Sequence, residues 1–219
     1  MQAGIDNVEN LVLYLTDHGG TNESGEGTFR LSASETLTAS DLAAMLNTFP
    51  SRIIVIIDAC QSGSFTNTLQ GNANRIIITS TGPDEKAKFI NQGTISFSNF
   101  FWTGVFNGSS IWDSYNTASG AVNVLAGQHP DISYPMDINP GNVYIGNRVA
   151  GMVGDAPEIS SITISPPELH LETSAVLRVN MLPDPDGIAR VWAVIWPPNY
   201  DSGSVANPLT DLPSVDLLP

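Results

Sequence analysis

Residues 53–60 are Ile-Ile-Val-Ile-Ile-Asp-Ala-Cys, an unbroken aliphatic run that ends in a carboxylate, a small residue and the only cysteine of the chain. A short run of aliphatic residues without charge is typical of a strand that is buried on both faces of a sheet. Residues 11–16 (Leu-Val-Leu-Tyr-Leu-Thr) and 75–79 (Arg-Ile-Ile-Ile-Thr) show the same pattern. We therefore predict three buried strands, at 11–16, 53–57 and 75–79.

Helical segments separate and follow these strands. Residues 38–47 place Leu42, Met45 and Leu46 at helical spacing, and Thr38 with Asp41 resembles a capping box. An apolar helix is predicted over 98–107, preceded by a fourth candidate strand at 95–97. Because strands that alternate with helices form parallel sheets covered by helices, the predicted fold class is α/β with a mainly parallel sheet.

A cysteine and a histidine follow two of these strands. His18 comes two residues after the first strand, and Cys60 comes three residues after the second. Carboxyl ends of parallel strands meet at one edge of the sheet, so these side chains are expected to be neighbours. A thiol and a neighbouring imidazole are the two groups that thiol-dependent acyl transfer requires. Glycines at 19, 20 and 63 permit close approach of a substrate backbone. The alternative for Cys60, a small buried hydrophobic residue, stays open at this point.

Two segments carry a resemblance to a known family. Residues 14–20 (Tyr-Leu-Thr-Asp-His-Gly-Gly) and 57–65 (Ile-Asp-Ala-Cys-Gln-Ser-Gly-Ser-Phe) resemble the His-Gly and Ala-Cys motifs of caspase-like cysteine peptidases, in particular the legumain-like family. The similarity extends over about residues 11–108. It implies a caspase-like three-layer domain that hydrolyses polypeptide substrates without a cofactor or metal.

The resemblance also implies roles for single residues. Cys60 would be the nucleophile, His18 would protonate the departing amine, and the backbone N–H groups of Gly19 and Cys60 would hold the oxyanion. Asp58 matches a residue of the primary specificity pocket, and Ser96 matches another pocket position. A carboxylate in that pocket predicts a preference for Arg or Asn before the cleaved bond. The alternative for Asp58, a side chain that caps the turn after its strand, stays open.

A change in composition divides the chain into two predicted domains. Ten of the 15 prolines follow residue 153, and strand-like segments at 159–165, 175–181 and 188–196 are separated by turn sequences. We predict a peptidase domain over 1–153 and the beginning of an immunoglobulin-like β-sandwich over 154–219. Both are expected to be incomplete, the first at its N-terminus and the second at its C-terminus, which would leave residues 11–15 as an exposed sheet edge.

Charge narrows the choice of partners. The net charge is −14, with 22 acidic against 8 basic residues, so nucleic acid and anionic membrane surfaces are poor partners. The longest unbroken aliphatic run is much shorter than the ~20 residues of a membrane-spanning helix. The acidic, lysine-poor composition and the immunoglobulin-like segment favour an extracellular, periplasmic or cell-surface location in a bacterium. Histidines 129 and 170 are expected to face solvent.

A second function class competes with the enzyme. In that alternative, a catalytically degenerate caspase-like domain would serve as a binding or adhesion module at the cell surface. The presence of both His18 and Cys60 beside glycines favours the cysteine endopeptidase.

Overall fold

The computed structural model describes residues 10–70, 74–90, 93–146, 159–171, 173–183, 187–188, 190–195 and 214–218. The strands are β1 (Asn10–Thr16), β2 (Gly19–Thr21), β3 (Gly27–Arg30), β4 (Thr36–Thr38), β5 (Arg52–Asp58), β6 (Arg75–Thr79), β7 (Asp131–Ser133), β8 (Ile159–Ser165), β9 (Val176–Met181), β10 (Trp192–Val194) and β11 (Ser214–Asp216). The helices are α1 (Ala39–Leu46), α2 (Thr66–Leu69), α3 (Phe97–Phe106) and α4 (Ile111–Ala126), with 3₁₀ turns at Ser62–Phe65 and Pro140–Asn142.

The central sheet has the strand order β1-β5-β6-β7. The first three strands are parallel, and β7 joins β6 in the antiparallel direction. Separate antiparallel sheets are formed by β2-β3-β4, by β8-β9 and by β10-β11. The predicted α/β class with a mainly parallel sheet is confirmed, and the three predicted strands correspond to β1, β5 and β6. Burial is confirmed for β5 and β6. It is wrong for β1, which pairs with one strand only within the described residues, so that none of its residues is fully buried.

Alternation along the buried strands creates two cores. Ile54 and Ile56 point to one face of the sheet, where they join a cluster that contains Phe97 and Phe101 of α3 together with α4 residues. On the other face, β5 packs with α1 and α2 in a second cluster: Phe29, Ala39, Leu42, Leu46, Ile53, Val55, Ile57, Ala59, Phe65, Leu69 and Ile77. Helices therefore cover both faces, which gives the three-layer arrangement expected for a caspase-like domain.

The helix predicted over 38–47 is confirmed. Thr38 is its N-cap, and its hydroxyl oxygen accepts a hydrogen bond from the Asp41 N–H at 3.1 Å. The same hydroxyl donates to the Asp41 carboxylate at 2.8 Å. These bonds satisfy an otherwise unpaired N–H group in the first turn, so the local sequence alone specifies where α1 begins.

The strand predicted at 95–97 is wrong. Ile95 makes only an isolated antiparallel bridge with Ile90, and the helix begins at Phe97. Ser96 is the N-cap, and its side chain accepts a hydrogen bond from the Asn99 N–H at 3.2 Å. Because Ser96 caps the helix and Phe97 is its first residue, no strand remains at 95–97.

The sheet ends at β1 on one side and at β7 on the other within the described residues. No helix in the described part of the chain is long and apolar enough to cross a membrane.

The predicted domain boundary near residues 154–157 lies outside the described residues. Beyond it, β8 pairs with β9 and β10 pairs with β11, both in the antiparallel direction. The strand predicted at 188–196 is present as Trp192–Val194, and its predicted last residue, Trp196, lies outside the described residues.

A buried arginine connects the sheet to two helix ends. Arg75 begins β6 and is 2% exposed. Its guanidinium donates to the side-chain oxygen of Asn47 at 2.7 Å and to the backbone oxygens of Leu69 at 3.2 Å and Ala43 at 3.5 Å. These acceptors lie near the C-terminal ends of α1 and α2, where a cation is favourable. Arg75 therefore anchors both helices to the sheet.

Replacement of this guanidinium should destabilise the fold. We expect Arg75→Ala to lower the free energy of unfolding by about 2–4 kcal/mol, because it leaves a cavity and removes the guanidinium donor from the buried Leu69 carbonyl, the half-buried Ala43 carbonyl and the Asn47 side chain. Arg52→Ala is the matched control: Arg52 also begins a strand, and its guanidinium donates to the Asn10 side chain at 3.2 Å. We expect this control to cost less than about 1 kcal/mol. Equal losses in urea denaturation would contradict the anchoring role.

Candidate active site

The register of two parallel strands determines the site. The last paired residues of β1 and β5 are Thr16 and Asp58, which face each other across the ladder. His18 lies two residues beyond Thr16, and Cys60 lies two residues beyond Asp58. Both residues therefore leave the same edge of the sheet after equal lengths of chain.

Gly19 brings the two strand ends into contact. A Cβ atom placed on Gly19 would lie 2.2 Å from the backbone oxygen of Cys60 and 2.9 Å from the Cβ of Ala59. Only a residue without a side chain permits this approach. The predicted proximity of the residues that follow the two strands is thus present in the backbone, with the His18–Gly19 peptide next to Cys60.

Short β-structure holds the histidine end of the site. Gly19 pairs with Phe29 in the β2–β3 ladder, and the Arg30 N–H donates to the His18 carbonyl oxygen at 2.9 Å. The Asp17 carboxylate accepts from the His18 N–H at 2.6 Å. His18 is half-buried. The backbone N–H and C=O groups of His18 are therefore both hydrogen-bonded.

The cysteine lies on a turn attached to the end of β6. Cys60 is half-buried, and its Sγ lies 4.0 Å from the carbonyl oxygen of Ala87. Ser62, two residues after Cys60, forms two hydrogen bonds with Thr81. The Ser62 N–H donates to the Thr81 hydroxyl oxygen at 3.0 Å, and the Thr81 N–H donates to the Ser62 hydroxyl oxygen at 3.1 Å. The Thr81 hydroxyl also donates to the Ala59 carbonyl at 3.1 Å. The turn that carries the thiol is therefore bonded on both sides of Cys60.

Asp58 is directed into the protein interior. It is 1% exposed, and its carboxylate accepts from the N–H of Ser98 at 2.9 Å and from the Ser98 hydroxyl at 2.5 Å. Burial raises the pKa of this carboxyl above its ordinary value. These hydrogen bonds go to the first turn of α3. The alternative in which Asp58 caps the turn after its own strand predicts bonds to that turn instead.

Tyr14 extends this chain of hydrogen bonds to the edge strand. Its hydroxyl donates to Ser98 Oγ at 2.7 Å, and its ring packs edge-on against Trp102 at a centroid distance of 5.2 Å. Sequence reasoning missed both Tyr14 and Ser98 as members of this network. The available signal was Tyr14 itself, the one side chain with a hydrogen-bonding group among residues 11–15.

Ser96 borders an open groove along α3. Its hydroxyl donates to the Gly93 carbonyl at 2.8 Å while it caps the helix. The residues that line the groove come from β1, the 89–96 segment and α3: Tyr14, Phe89, Gly93, Ser96, Ser98, Asn99, Trp102, Thr103 and Phe106. Asp58 is not among them, and its carboxylate bonds to Ser98, which lines the groove.

No group of three or more His, Cys, Asp or Glu side chains suited to a metal ion occurs in the described part of the chain.

A part of the chain that contains both His18 and Cys60 also matches a known family. Residues 5–95 match the peptidase C13 family. This match includes His18, Gly19, Asp58 and Cys60 and supports a caspase-like peptidase family, whereas Ser96 lies just outside it. A peptidase C13 relationship implies a cysteine-type peptidase.

Comparison with solved structures finds a distant likeness. The crystal structure of protein GSU0716 from Geobacter sulfurreducens is similar over 65% of this chain and 72% of that chain, with 12% sequence identity and a TM-score of 0.47. No curated protein matches the chain significantly.

Two neighbouring glycines provide a test of the backbone contact. We expect Gly19→Ala to lower the free energy of unfolding by at least about 2 kcal/mol, because the new methyl group would overlap the Cys60 carbonyl. Gly20→Ala is the matched control, because its Cβ would lie 3.5 Å from the nearest atom, an ordinary contact. Thermal and urea denaturation of the two variants measure the difference. Equal stability of the two variants would contradict the close contact between Gly19 and the Cys60 carbonyl.

Burial of Asp58 predicts a pH dependence. The pKa of Asp58 in the folded state lies above the unfolded value of 3.8, so folding favours the neutral carboxyl group. The stability that this neutral group contributes is lost as the pH rises from the unfolded pKa through the folded pKa. Asp58→Asn does not ionise. We therefore expect the melting temperature of the variant, relative to wild type, to increase as the pH is raised from about 4 towards 7. A difference that decreases over this range would contradict the burial effect.

Proposed function

We propose that the α/β domain is a cysteine endopeptidase domain in which Cys60 is the nucleophile and His18 is the general acid and base. The observation that carries this proposal is the register of β1 and β5, which places both residues two positions beyond a paired Thr16 and Asp58. The peptidase C13 match supports the same chemistry at the level of the family. Contact between Gly19 and the Cys60 backbone supports a shared site.

The proposed reaction has two steps. The Cys60 thiolate attacks the carbonyl carbon of the scissile peptide bond, and the N–H groups of Gly19 and Cys60 donate to the oxyanion that forms. The C–N bond then breaks, and the protonated imidazole of His18 transfers its proton to the departing amine. In the second step His18 takes a proton from water, the hydroxide attacks the thioester, and the acid product leaves with restoration of the thiolate.

Labelling of the thiol tests the nucleophile directly. Because the chain contains one cysteine, any thiol-specific label reports on Cys60 alone. We expect a peptidyl acyloxymethyl ketone to label the folded protein faster than it labels free cysteine, and His18→Ala to lower turnover by about 10²–10⁴-fold through loss of proton transfer. His170→Ala is the control, since His170 is exposed and pairs with Glu168 at 3.4 Å.

The outcomes separate the two function classes. Labelling that occurs only after denaturation, with no hydrolysis of peptide substrates, would favour the catalytically degenerate binding module. Labelling of the folded chain that is abolished by His18→Ala would support the peptidase.

A substrate preference is proposed for the groove beside α3. Ser96 borders it, and the Asp58 carboxyl group lies behind Ser98, so a group that accepts hydrogen bonds is close to the groove floor. We expect substrates with Arg or Asn before the cleaved bond to have a higher kcat/KM than the matched Asp substrate, by about 10-fold or more. A peptide series that differs only at this residue measures it. Equal cleavage of the Asp peptide would overturn the pocket assignment.

We also propose that residues 154–219 begin an immunoglobulin-like β-sandwich. Along β9, Leu177, Val179 and Met181 are half-buried while the intervening residues are exposed. On β8, Ile162 and Ile164 are about half-exposed, at 50% and 51%. Apolar side chains on an open sheet face are what a second sheet covers in a sandwich. Such a module, on an acidic chain, supports action at a bacterial cell surface or outside the cell.

A further inference from the structure

A segment that follows β6 lies against the turn that carries the thiol. This 82–88 segment accepts the Gln61 N–H at the carbonyl oxygen of Glu85, at 2.6 Å. It also brings the Ala87 carbonyl to 4.0 Å from Cys60 Sγ. A Cβ on Gly63 would lie 2.8 Å from backbone atoms of this segment. Cys60 and the residues that directly follow it therefore rest on the 82–88 segment.

Gln61 needs this support because of its backbone conformation. Its φ and ψ are 56° and 24°, in the left-handed region. It is the one residue other than glycine with a positive φ in the described part of the chain. A side chain is unfavourable in this conformation, which persists only where surrounding contacts impose it. The bond from Gln61 N–H to Glu85 is one such contact, directly after the nucleophile.

The Glu85 side chain holds its own segment in place. One carboxylate oxygen accepts from the Gly82 N–H at 3.0 Å and from the His129 N–H at 2.9 Å. The other lies 2.5 Å from Nδ1 of His129. Burial opposes ionisation of Glu85, but these hydrogen bonds outweigh it, so its pKa lies below the ordinary value. A charged carboxylate that accepts from two backbone N–H groups and contacts the His129 imidazole fixes the loop more strongly than a neutral group would.

Gln128, the residue before His129, secures the two ends of the segment. It is 1% exposed. Its side-chain nitrogen donates to the Ser80 carbonyl at 3.0 Å, and its side-chain oxygen accepts from the Lys88 N–H at 2.8 Å. Residues 128–129 directly follow α4 and its C-cap Gly127. The position of the 82–88 segment is therefore determined by the end of α4.

We propose that Glu85 is a positioning residue for Cys60, and that His129 orients it through the Nδ1–carboxylate contact. The proposal rests on the proposed function, in which Cys60 is the nucleophile. Glu85 acts through its backbone carbonyl on Gln61 and through the 82–88 segment on the thiol, while its carboxylate, bound by Gly82 and His129, keeps that carbonyl in place. Neither side chain contacts the reacting atoms.

The test compares four variants by Cys60 alkylation with iodoacetamide and by hydrolysis of an Asn-containing peptide amide. Glu85→Ala and His129→Ala should lower kcat by about 10-fold and change KM by less than about twofold, since positioning affects the reacting geometry more than binding. His129→Asn places an amide N–H where Nδ1 lies and should restore at least about half of the lost rate. His170→Ala, at the exposed pair with Glu168, should match wild type within about twofold.

The alkylation rate distinguishes failure of this proposal from failure of the proposed function. If wild-type Cys60 reacts no faster than free cysteine and no peptide is hydrolysed, both are overturned. If wild type is active and folded Glu85→Ala and His129→Ala variants keep its kcat and alkylation rate, only the positioning role is overturned. Because His129 is 66% exposed, His129→Ala should fold, so the result does not depend on the more buried Glu85. Failure of His129→Asn to restore the rate would also contradict the orienting role.

Discussion

The parallel pairing of β1 with β5 is the constraint on which the rest of the site depends. Its register aligns Thr16 with Asp58, so two loops of different length begin from the same level of the sheet. If β1 shifted by two residues relative to β5, its side chains would stay on the same faces of the sheet. His18 would nevertheless be displaced from Cys60 by two positions along the strand. The buried aliphatic side chains of β5 hold this register, because they fill clusters on both faces. The positions of the thiol and the imidazole thus follow from packing that lies away from them.

Long-range hydrogen bonds then determine the finer geometry. The turn after β5 bonds to Thr81, the 82–88 segment bonds to the residues after α4, and α3 begins on the carboxylate of Asp58. The ends of β5, β6 and α4 and the beginning of α3 are therefore joined through polar groups. Such polar ties are directional, whereas hydrophobic contacts are not, so they can hold a loop in a single conformation.

The main elements were predictable because their signals are local. Aliphatic runs identify β1, β5 and β6, and the Thr38–Asp41 cap identifies α1. The strand order that brings His18 towards Cys60 follows from general rules of parallel sheets. The interactions of Asp58 with Ser98 and of Glu85 with His129 join residues 40 and 44 positions apart, and no periodicity or spacing encodes them. His129 illustrates this limit, since it is largely exposed as expected and still bonds to Glu85.

The half-buried Cys60 side chain has a further consequence for the history of such domains. Its sulfur has a weak contact with the Ala87 carbonyl, while the surrounding turn is held by hydrogen bonds to Thr81 and Glu85. Thermodynamic stability and reactivity therefore depend on different atoms. Replacement of the thiol by a hydroxyl or methyl group would cost the fold little, and a lineage can lose the reactive group while selection keeps the scaffold.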